Sequence, residues 1–275
     1  MIINHFPRAG QIQQAMKQYA VVTGAGRGLG RQFAITLARR GFNTILVSLP
    51  GENLSEVAAE ATSASTSSVF YETDLTIKKN IIELADEINS RFSVSILINN
   101  AGCGGTKSFS TCDPDYIDNI IQLNIRSVAL LTRALLPNLL KQDRSWILNV
   151  SSISAFGPMG YKTVYPASKR FIRHFSIGLK YELAGTSVSV AVVYPGPVIT
   201  NEDVRMRIMK QGLFGRLSAM TPEKVAGITV AKLLKGRTFI LPGILNKLNW
   251  MMMSVIPGPL YLPWLTSVIK RELDS

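Results

Sequence analysis

The sequence predicts one α/β domain built around a doubly wound parallel sheet, and three observations support this fold class. Short apolar runs rich in β-branched residues alternate with longer amphipathic segments, as in repeated β-α units. A glycine-rich turn follows the first apolar run. The chain has 275 residues, enough to bury one large core. We therefore predict a single domain over residues 19–242, preceded by an N-terminal extension at 1–18 and followed by an apolar segment at 243–275.

The predicted elements follow from hydrophobic period and from the turn residues between them. The predicted strands are short apolar runs, at Tyr19–Thr23, Phe42–Ser48, Ser67–Tyr71, Val94–Asn99, Trp146–Val150, Val188–Val193 and Thr238–Leu241. The predicted helices are longer and amphipathic, at Gly28–Arg40, Leu54–Ser63, Ile77–Phe92, Asp113 or Pro114 to Leu140, Pro166–Leu183 and Pro222–Leu234. The sixth strand is almost purely β-branched, which indicates burial on both faces and hence a parallel sheet.

The turn at residues 24–30, Gly-Ala-Gly-Arg-Gly-Leu-Gly, connects the first strand to the first helix. Backbone N–H groups in such a turn and at a helix N-terminus bind phosphate, and the helix dipole favours the negative charge. Glycines also serve ordinary turns, but here a second strand completes a β-α-β unit of the length that binds dinucleotides. The turn therefore predicts a dinucleotide site.

The end of the second predicted strand indicates which dinucleotide binds. A carboxylate there would hydrogen-bond the adenosine ribose and repel a 2′-phosphate, but the sequence after Ser48 holds no carboxylate until Glu52. Arg27, in the glycine-rich turn, can place a cation near a 2′-phosphate. We therefore expect NADP(H) to be preferred over NAD(H), with an exposed structural arginine as the alternative role of Arg27.

Polar side chains surround the junction between the fifth strand and its helix. Tyr165 and Lys169 are four residues apart, so a helix that has begun by Tyr165 places both on one face. Pro166 is tolerated only in the first helical turn, which puts Tyr165 at or near the helix start. With Ser151 and Ser152 at the strand end, a hydroxyl, a phenol and an ammonium group can meet there. This is a catalytic arrangement if a cofactor binds opposite it.

Composition excludes several other classes of function. The net charge is +12, but the basic residues are scattered and do not form a stripe interleaved with aromatic residues, so nucleic-acid binding is not expected. Basic excess on a chain of mean hydropathy +0.19 favours an anionic cofactor and a membrane surface, with a merely basic soluble protein as the alternative. Two cysteines predict neither a metal site nor a disulfide framework. Without a signal-peptide pattern, a cytoplasmic location is expected, with membrane association left open.

Ordered motifs in the chain resemble those of the short-chain dehydrogenase/reductase family. They are Thr23-Gly24-x-x-x-Gly28-x-Gly30, Asp74, Asn99-Asn100-Ala101-Gly102, Asn124, Ser152, Tyr165-x-x-x-Lys169 and Pro195-Gly196. The resemblance covers about residues 19–200 and is closest to NADP-dependent hydroxysteroid dehydrogenases and 3-oxoacyl reductases. It implies a Rossmann-type fold, interconversion of a carbonyl and a secondary alcohol by hydride transfer, and a homodimer or homotetramer.

The resemblance also assigns roles to individual residues. Ser152, thirteen residues before Tyr165, matches the catalytic serine, and Asn124 matches the asparagine that holds the water of the proton relay. Tyr165 is the acid/base, its pKa expected to be lowered by Lys169 and the nicotinamide. The implied cofactor-binding residues are Gly24, Gly26, Arg27, Gly28, Leu29, Gly30, Ser48, Asp74, Leu75, Asn100, Ala101, Gly102, Tyr165, Lys169, Pro195, Gly196, Val198 and Thr200. A polar residue inside a helix and a strand-end cap are the alternatives for Asn124 and Ser152.

The substrate is expected to contact the least familiar segments. Ser154, Pro158 and Met159 are candidate substrate residues, and residues 201–220 read as a substrate lid, or as a plain surface helix. Residues 243–275 are apolar and aromatic, which favours packing on the domain, on a partner subunit or on a membrane surface, and a lipophilic substrate such as a steroid or long-chain keto compound. A non-catalytic NADP-sensing protein or a membrane-surface scaffold is the alternative function.

Overall fold

The computed structural model describes residues 18–210 and 216–273. The N-terminal extension up to residue 17 and residues 211–215 of the predicted lid lie outside this part of the chain. Seven parallel strands form one sheet in the order β3-β2-β1-β4-β5-β6-β7. They are β1 (Tyr19–Thr23), β2 (Asn43–Ser48), β3 (Ser68–Glu72), β4 (Val94–Asn99), β5 (Ser145–Val150), β6 (Val188–Val193) and β7 (Phe239–Ile240). The predicted Rossmann-type doubly wound sheet is confirmed.

Helices connect the strands and cover both faces of the sheet. They are α1 (Gly28–Ala38), α2 (Leu54–Ala61), α3 (Lys78–Arg91), α4 (Pro114–Ile121), α5 (Ser127–Leu140), α6 (Val164–Glu182), α7 (Glu202–Lys210), α8 (Pro222–Leu234), α9 (Ile244–Val255) and α10 (Gly258–Lys270). Within the described ranges, every helix is too short or too polar to cross a bilayer.

The core lies in two layers, one on each side of the sheet. Consecutive residues of β1 point to opposite faces, so Val22 packs with α1, α2 and α8, while Val21 packs with α3 and α5. All residues of β2, β4 and β5 are buried, as the apolar runs predict for strands covered on both faces. The strand order reverses between β1 and β4, which places a crevice at their carboxyl ends.

The structure departs from the predicted elements in one place and adds elements in another. The long helix predicted to end at Leu140 contains a π-helical segment, Gln122–Arg126, between α4 and α5. Hydrophobic periodicity does not reveal such a segment, because the flanking turns keep their helical period. The apolar C-terminal segment forms two helices, α9 and α10, separated near Pro257, whose missing N–H suits the residues just before a helix.

Candidate active site

The glycine-rich turn forms a tight cradle at the carboxyl end of β1. A Cβ atom added to Gly30 would lie 2.0 Å from the backbone oxygen of Gly24, and one added to Gly26 would lie 2.1 Å from the backbone oxygen of Glu52. Gly24 and Gly28 have positive φ angles of 63° and 55°, which favour glycine. The turn therefore exposes backbone N–H groups at the N-terminus of α1, as a phosphate group requires.

The polar turn after β4 braces this cradle. The Thr23 hydroxyl accepts hydrogen bonds from the backbone N–H groups of Asn100 and Ala101, both at 3.0 Å. The Asn100 side chain donates to the carbonyl oxygens of Thr23 at 2.9 Å and Gly24 at 3.2 Å. Because these bonds tie the ends of β1 and β4 together, Asn100 and Ala101 fix the shape of the crevice at the point where the strand order reverses.

A carboxylate lies where the sequence suggested none. Glu52 curls back from the loop after β2, and its carboxylate accepts a hydrogen bond from the Ser48 hydroxyl. It also pairs with the Arg27 guanidinium at 3.2 Å, and the Arg27 side chain is 76% exposed. The prediction of an NADP(H) preference assumed that Arg27 is the unopposed charge at this end of the cradle. In the structure, the Glu52 carboxylate lies beside it.

Ser152, Tyr165 and Lys169 lie together where β5 ends and α6 begins. Tyr165 is the second residue of α6 and Pro166 the third, as predicted. The Lys169 side chain is buried; its ammonium donates to the Val150 carbonyl at 3.0 Å and lies 5.7 Å from the Tyr165 ring centroid. The Ser152 hydroxyl accepts a hydrogen bond from the Ser154 N–H at 3.2 Å. All three side chains line the same cavity.

The electrostatics of this cluster differ from the prediction. Burial raises the pKa of Tyr165, and hydrogen bonding with the Ser152 side chain only partly offsets that effect. The expected net lowering of the Tyr165 pKa is not found, and burial also disfavours the Lys169 ammonium and lowers the pKa of Lys169 to about 8. Protein groups alone therefore keep Tyr165 in its neutral, proton-donating form.

Asn124 lies within the π-helical segment and is buried. Its side chain accepts from the backbone N–H of Cys103 at 2.9 Å and donates to the Cys103 carbonyl at 2.8 Å and the Ser168 hydroxyl at 3.0 Å. A Cβ on Gly102 would lie 3.0 Å from the Asn124 side-chain oxygen and 3.3 Å from the Lys169 nitrogen. Asn124 thus holds the loop after β4 against the catalytic cluster, and Gly102 allows the close approach.

A cavity of about 540 Å³ opens above the catalytic cluster. Its polar wall includes Ser154, whose buried hydroxyl has no hydrogen-bond partner among the described residues. Its apolar wall includes residues from α7, α9 and α10, namely Val204, Ile208, Met252, Met253, Tyr261, Trp264, Leu265, Val268 and Ile269. Such a volume suits a drug-sized ligand with an apolar body.

The loop 157–160 carries two of the three candidate substrate residues, and only one of them reaches the cavity. Met159 lines it, whereas Pro158 is exposed and does not, so substrate contact by Pro158 stays a prediction that this cavity does not support. The flanking glycines face the C-terminal helices instead: a Cβ on Gly157 would lie 2.6 Å from the Tyr261 hydroxyl, and one on Gly160 would lie 2.5 Å from a Thr266 methyl.

A buried ion pair joins α10's end to the active-site loops. The Glu272 side chain is 1% exposed and accepts a hydrogen bond from the Lys162 ammonium at 2.9 Å and another from the Thr106 hydroxyl at 2.5 Å. Lys162 and Glu272 both line the cavity. Of the three predicted environments for residues 243–275, packing on the domain is therefore present in the structure.

Residues 18–211 match the family model described as short chain dehydrogenase. The chain belongs to the short-chain dehydrogenase/reductase family. It is 32% identical over 185 residues to an uncharacterized oxidoreductase of Staphylococcus epidermidis, covering 67% of this chain and 79% of that protein. It is 35% identical over 190 residues to human 17-beta-hydroxysteroid dehydrogenase type 3, covering 68% and 61%. It is 34% identical over 187 residues to the very-long-chain 3-oxoacyl-CoA reductase of Anas platyrhynchos, covering 66% and 60%.

Solved structures of the family share the fold. A bulky-bulky ketone specific alcohol dehydrogenase from Comamonas testosteroni aligns with a TM-score of 0.72 at 25% identity, covering 87% of this chain and 94% of that one. A metagenomic short-chain oxidoreductase in complex with NADP aligns with a TM-score of 0.68 at 27% identity, covering 82% and 96%. The protein is thus a short-chain oxidoreductase of a family that uses NAD(P).

The remaining predicted cofactor residues lie around the crevice at the carboxyl ends of the strands. Leu29, Pro195, Gly196, Val198 and Thr200 line the cavity. A Cβ on Gly28 would meet the Thr200 methyl at 2.9 Å, so the turn after β6 closes on the glycine-rich turn. After β3, Leu75 is buried, and Asp74 accepts two hydrogen bonds from Thr76, at 2.8 and 2.7 Å. These positions are compatible with the predicted adenine contact, which stays a prediction.

Three groups at the site were missed by sequence reasoning. Glu52 was visible as the first carboxylate after β2, but its return to Ser48 depends on the turn at Gly51, whose φ is 80°. Gly104 packs on the Tyr165 ring, where an added Cβ would lie 2.4 Å from a ring carbon. The Lys162–Glu272 pair spans 110 positions of sequence, and no local pattern indicates it.

Proposed function

We propose that this short-chain oxidoreductase interconverts a carbonyl and a secondary alcohol on a lipophilic substrate, with NADP(H) as the preferred cofactor. The observation that carries the proposal is the convergence of Ser152, Tyr165 and Lys169 at the floor of a cavity with a mainly apolar upper wall. The alternative, a non-catalytic sensor or scaffold, is not favoured, since the chain matches oxidoreductases along the segment that holds all three residues.

The proposed roles follow from the contacts of each side chain. When bound, NADP(H) supplies or accepts the hydride. Tyr165, neutral because burial raises its pKa, donates the proton to the substrate oxygen in reduction and accepts it in oxidation. Ser152 donates a hydrogen bond to the same oxygen and stabilises its developing charge. In oxidation Tyr165 would act as the phenolate, which a bound, positively charged nicotinamide would favour more than Lys169 alone.

Lys169 and Asn124 support the acid/base residue. The Lys169 ammonium lies between the Val150 carbonyl and the Tyr165 ring, within reach of a ligand on the cavity floor. There it would hold the nicotinamide ribose, as the family resemblance implies. The Asn124 side chain bonds both the N–H and the carbonyl group of Cys103. It therefore fixes the cavity wall against which the nicotinamide ring would lie. The proton-relay water predicted at Asn124 is part of this proposal.

Glu52 is expected to limit the preference for NADP(H), which gives a direct test of the Arg27 hypothesis. We expect Glu52→Gln to raise the ratio of kcat/KM for NADPH to that for NADH about tenfold, or about 1.4 kcal/mol, because it removes a negative charge beside the 2′-phosphate and releases Arg27. Arg27→Ala should lower the same ratio. Arg31→Ala is the control, since Arg31 pairs with Glu56 and Glu60 instead. Equal changes for both cofactors in Arg27→Ala would contradict the assignment.

The pH dependence should report Lys169. Its pKa of about 8 in the free protein means that its charge is lost as pH rises through that value, so kcat/KM for NADPH should fall above about pH 8. Burial raises the pKa of Tyr165 above its usual 10.0 and that of Cys103 above 9.0, so neither accounts for a break at 8. In Lys169→Arg the decrease of kcat/KM above about pH 8 should vanish, because a guanidinium stays charged. This holds whatever the absolute rate of the variant. An unchanged break in that variant would assign it elsewhere.

The reaction itself is tested by NADPH consumption, followed by absorbance, with a panel of steroid ketones, long-chain keto compounds and short ketones. We expect turnover with bulky, lipophilic ketones and a higher KM for short ones, because the upper wall is built from methionine, leucine and aromatic side chains. Absence of turnover with every carbonyl, in protein that still binds NADPH, would overturn the proposed activity. The predicted homodimer or homotetramer can be measured on the same preparation.

A further inference from the structure

An exposed apolar ridge runs along the two C-terminal helices. Its members on α9 follow one another at spacings of four, three and four residues, and its two members on α10 are four residues apart. They are Ile244, Leu248, Met251, Val255, Leu260 and Trp264. Ile244 is 77% exposed, Val255 76% and Leu260 73%. Six large apolar side chains exposed on two consecutive helices exceed the scattered exposure usual on a soluble surface.

The ridge lies opposite the face by which these helices are anchored. On α9, Asn246 and Met253 are buried, and on α10, Val268 and Ile269 are buried. Asn246 donates to the carbonyls of Ser218 and Pro242, at 3.2 and 3.1 Å, so α9 is fixed to the domain. Each helix therefore has an apolar face turned inward and a second apolar face turned outward. The outer face is not needed to hold the helices in place.

Charge around the ridge favours an anionic surface. Between residues 243 and 271, which span both helices, the sequence has no Asp or Glu and three basic residues, Lys247, Lys270 and Arg271. Lys247 lies on α9 next to Leu248 and is exposed, as are Lys270, the last residue of α10, and Arg271 just after it. A basic, apolar and aromatic helix face is the pattern that binds at the boundary of anionic lipid headgroups and acyl chains. A protein partner would not require this one-sided charge.

The ridge also borders the substrate cavity. Trp264 belongs to both, because it is 56% exposed and lines the cavity. Met252 and Tyr261, next to ridge residues on each helix, line the cavity as well. A molecule dissolved in a bilayer beneath the ridge would therefore meet the cavity wall without crossing water.

We propose that the apolar ridge docks this enzyme on an anionic lipid surface and that the lipophilic substrate enters the cavity from that surface. The docking step stands on the exposed stripe and the charge around it. The entry step rests on the proposed function, since it requires that the cavity accept a lipophilic carbonyl compound.

Co-sedimentation with vesicles tests the docking step. The intact protein should sediment with vesicles of mixed phosphatidylglycerol and phosphatidylcholine, and much less with phosphatidylcholine alone or at high salt. Ile244→Ser combined with Val255→Ser and Leu260→Ser should lower the partition coefficient at least about tenfold, because it removes three membrane-facing side chains. A matched control replaces Ile77, Ile82 and Phe109, which are exposed elsewhere, by serine and should bind as the wild type does.

The remaining outcomes separate docking from its alternatives. The three substituted residues, Ile244, Val255 and Leu260, do not line the cavity. Turnover of a water-soluble ketone should therefore be unchanged in the ridge variant. Turnover of a vesicle-embedded ketone should fall. Equal sedimentation of wild type and ridge variant would overturn the docking. Docking would also be overturned if ultracentrifugation without vesicles showed a smaller oligomer for the ridge variant than for the wild type. The ridge would then be an interface between copies of this chain. Vesicle binding without any carbonyl turnover would remove the proposed function but leave the docking in place.

Discussion

Tyr165→Phe should reduce kcat by about 10²–10⁴-fold, the contribution expected of a positioned general acid. The substitution removes one hydroxyl from a side chain that lines the cavity floor beside Ser152 and Lys169. The ring itself remains, so its packing against Gly104 and the shape of the crevice should be kept. Single-turnover reduction of a lipophilic ketone by NADPH measures the effect, and NADPH binding, followed by fluorescence, should stay within about threefold of the wild type.

Tyr161→Phe is the matched control for this experiment. Tyr161 is the nearest other phenol in the sequence, it has a positive φ of 61°, and it lies outside the substrate cavity. Its backbone oxygen accepts a hydrogen bond from the Lys107 N–H, so its place in the loop does not depend on the hydroxyl. We expect nearly unchanged turnover in Tyr161→Phe. Turnover in Tyr165→Phe close to that of this control would show that another group moves the proton.

The parts of the site that sequence reasoning predicted are those set by local spacing. The interval of four between Tyr165 and Lys169 fixes their common face once Pro166 locates the helix start. Three glycines of the turn are likewise set locally, Gly24 and Gly28 by their positive φ angles and Gly30 by its approach to the Gly24 carbonyl. Fold class followed from the same kind of information, because alternating strands and helices permit few arrangements of a parallel sheet.

The parts that sequence reasoning could not predict depend on contacts between distant segments. The pKa of Tyr165 is raised because its side chain is buried, and that burial depends on segments distant in sequence, such as the loop of Gly104 that packs on its ring. Glu52 bears on cofactor choice only because its loop folds back on the glycine-rich turn. Pro158 looked suitable for substrate contact, yet its glycine neighbours turn toward α9 and α10 and leave it exposed.

The Lys162–Glu272 pair should produce the largest effect on stability. Glu272→Ala leaves a largely buried ammonium without its carboxylate, which we expect to lower the free energy of unfolding by about 3 kcal/mol. The end of α10 also loses its tie to Thr106. Because both partners line the cavity, KM for the lipophilic ketone should rise several-fold while KM for NADPH changes little. Urea unfolding and steady-state kinetics measure the two effects.

A double variant separates the ion pair from the packing of the same side chains. In Lys162→Met combined with Glu272→Leu, apolar groups of similar size replace both charges, and a buried pair replaced in this way is often neutral or stabilising. We expect its free energy of unfolding to return to within about 1 kcal/mol of the wild type, with the KM effect reversed as well. If instead the double variant is as unstable as Glu272→Ala, the charges matter less than the hydrogen bond from Thr106, which neither variant retains. Glu272→Gln, which keeps an acceptor for Thr106 but removes the charge, would then be the more stable of the single variants.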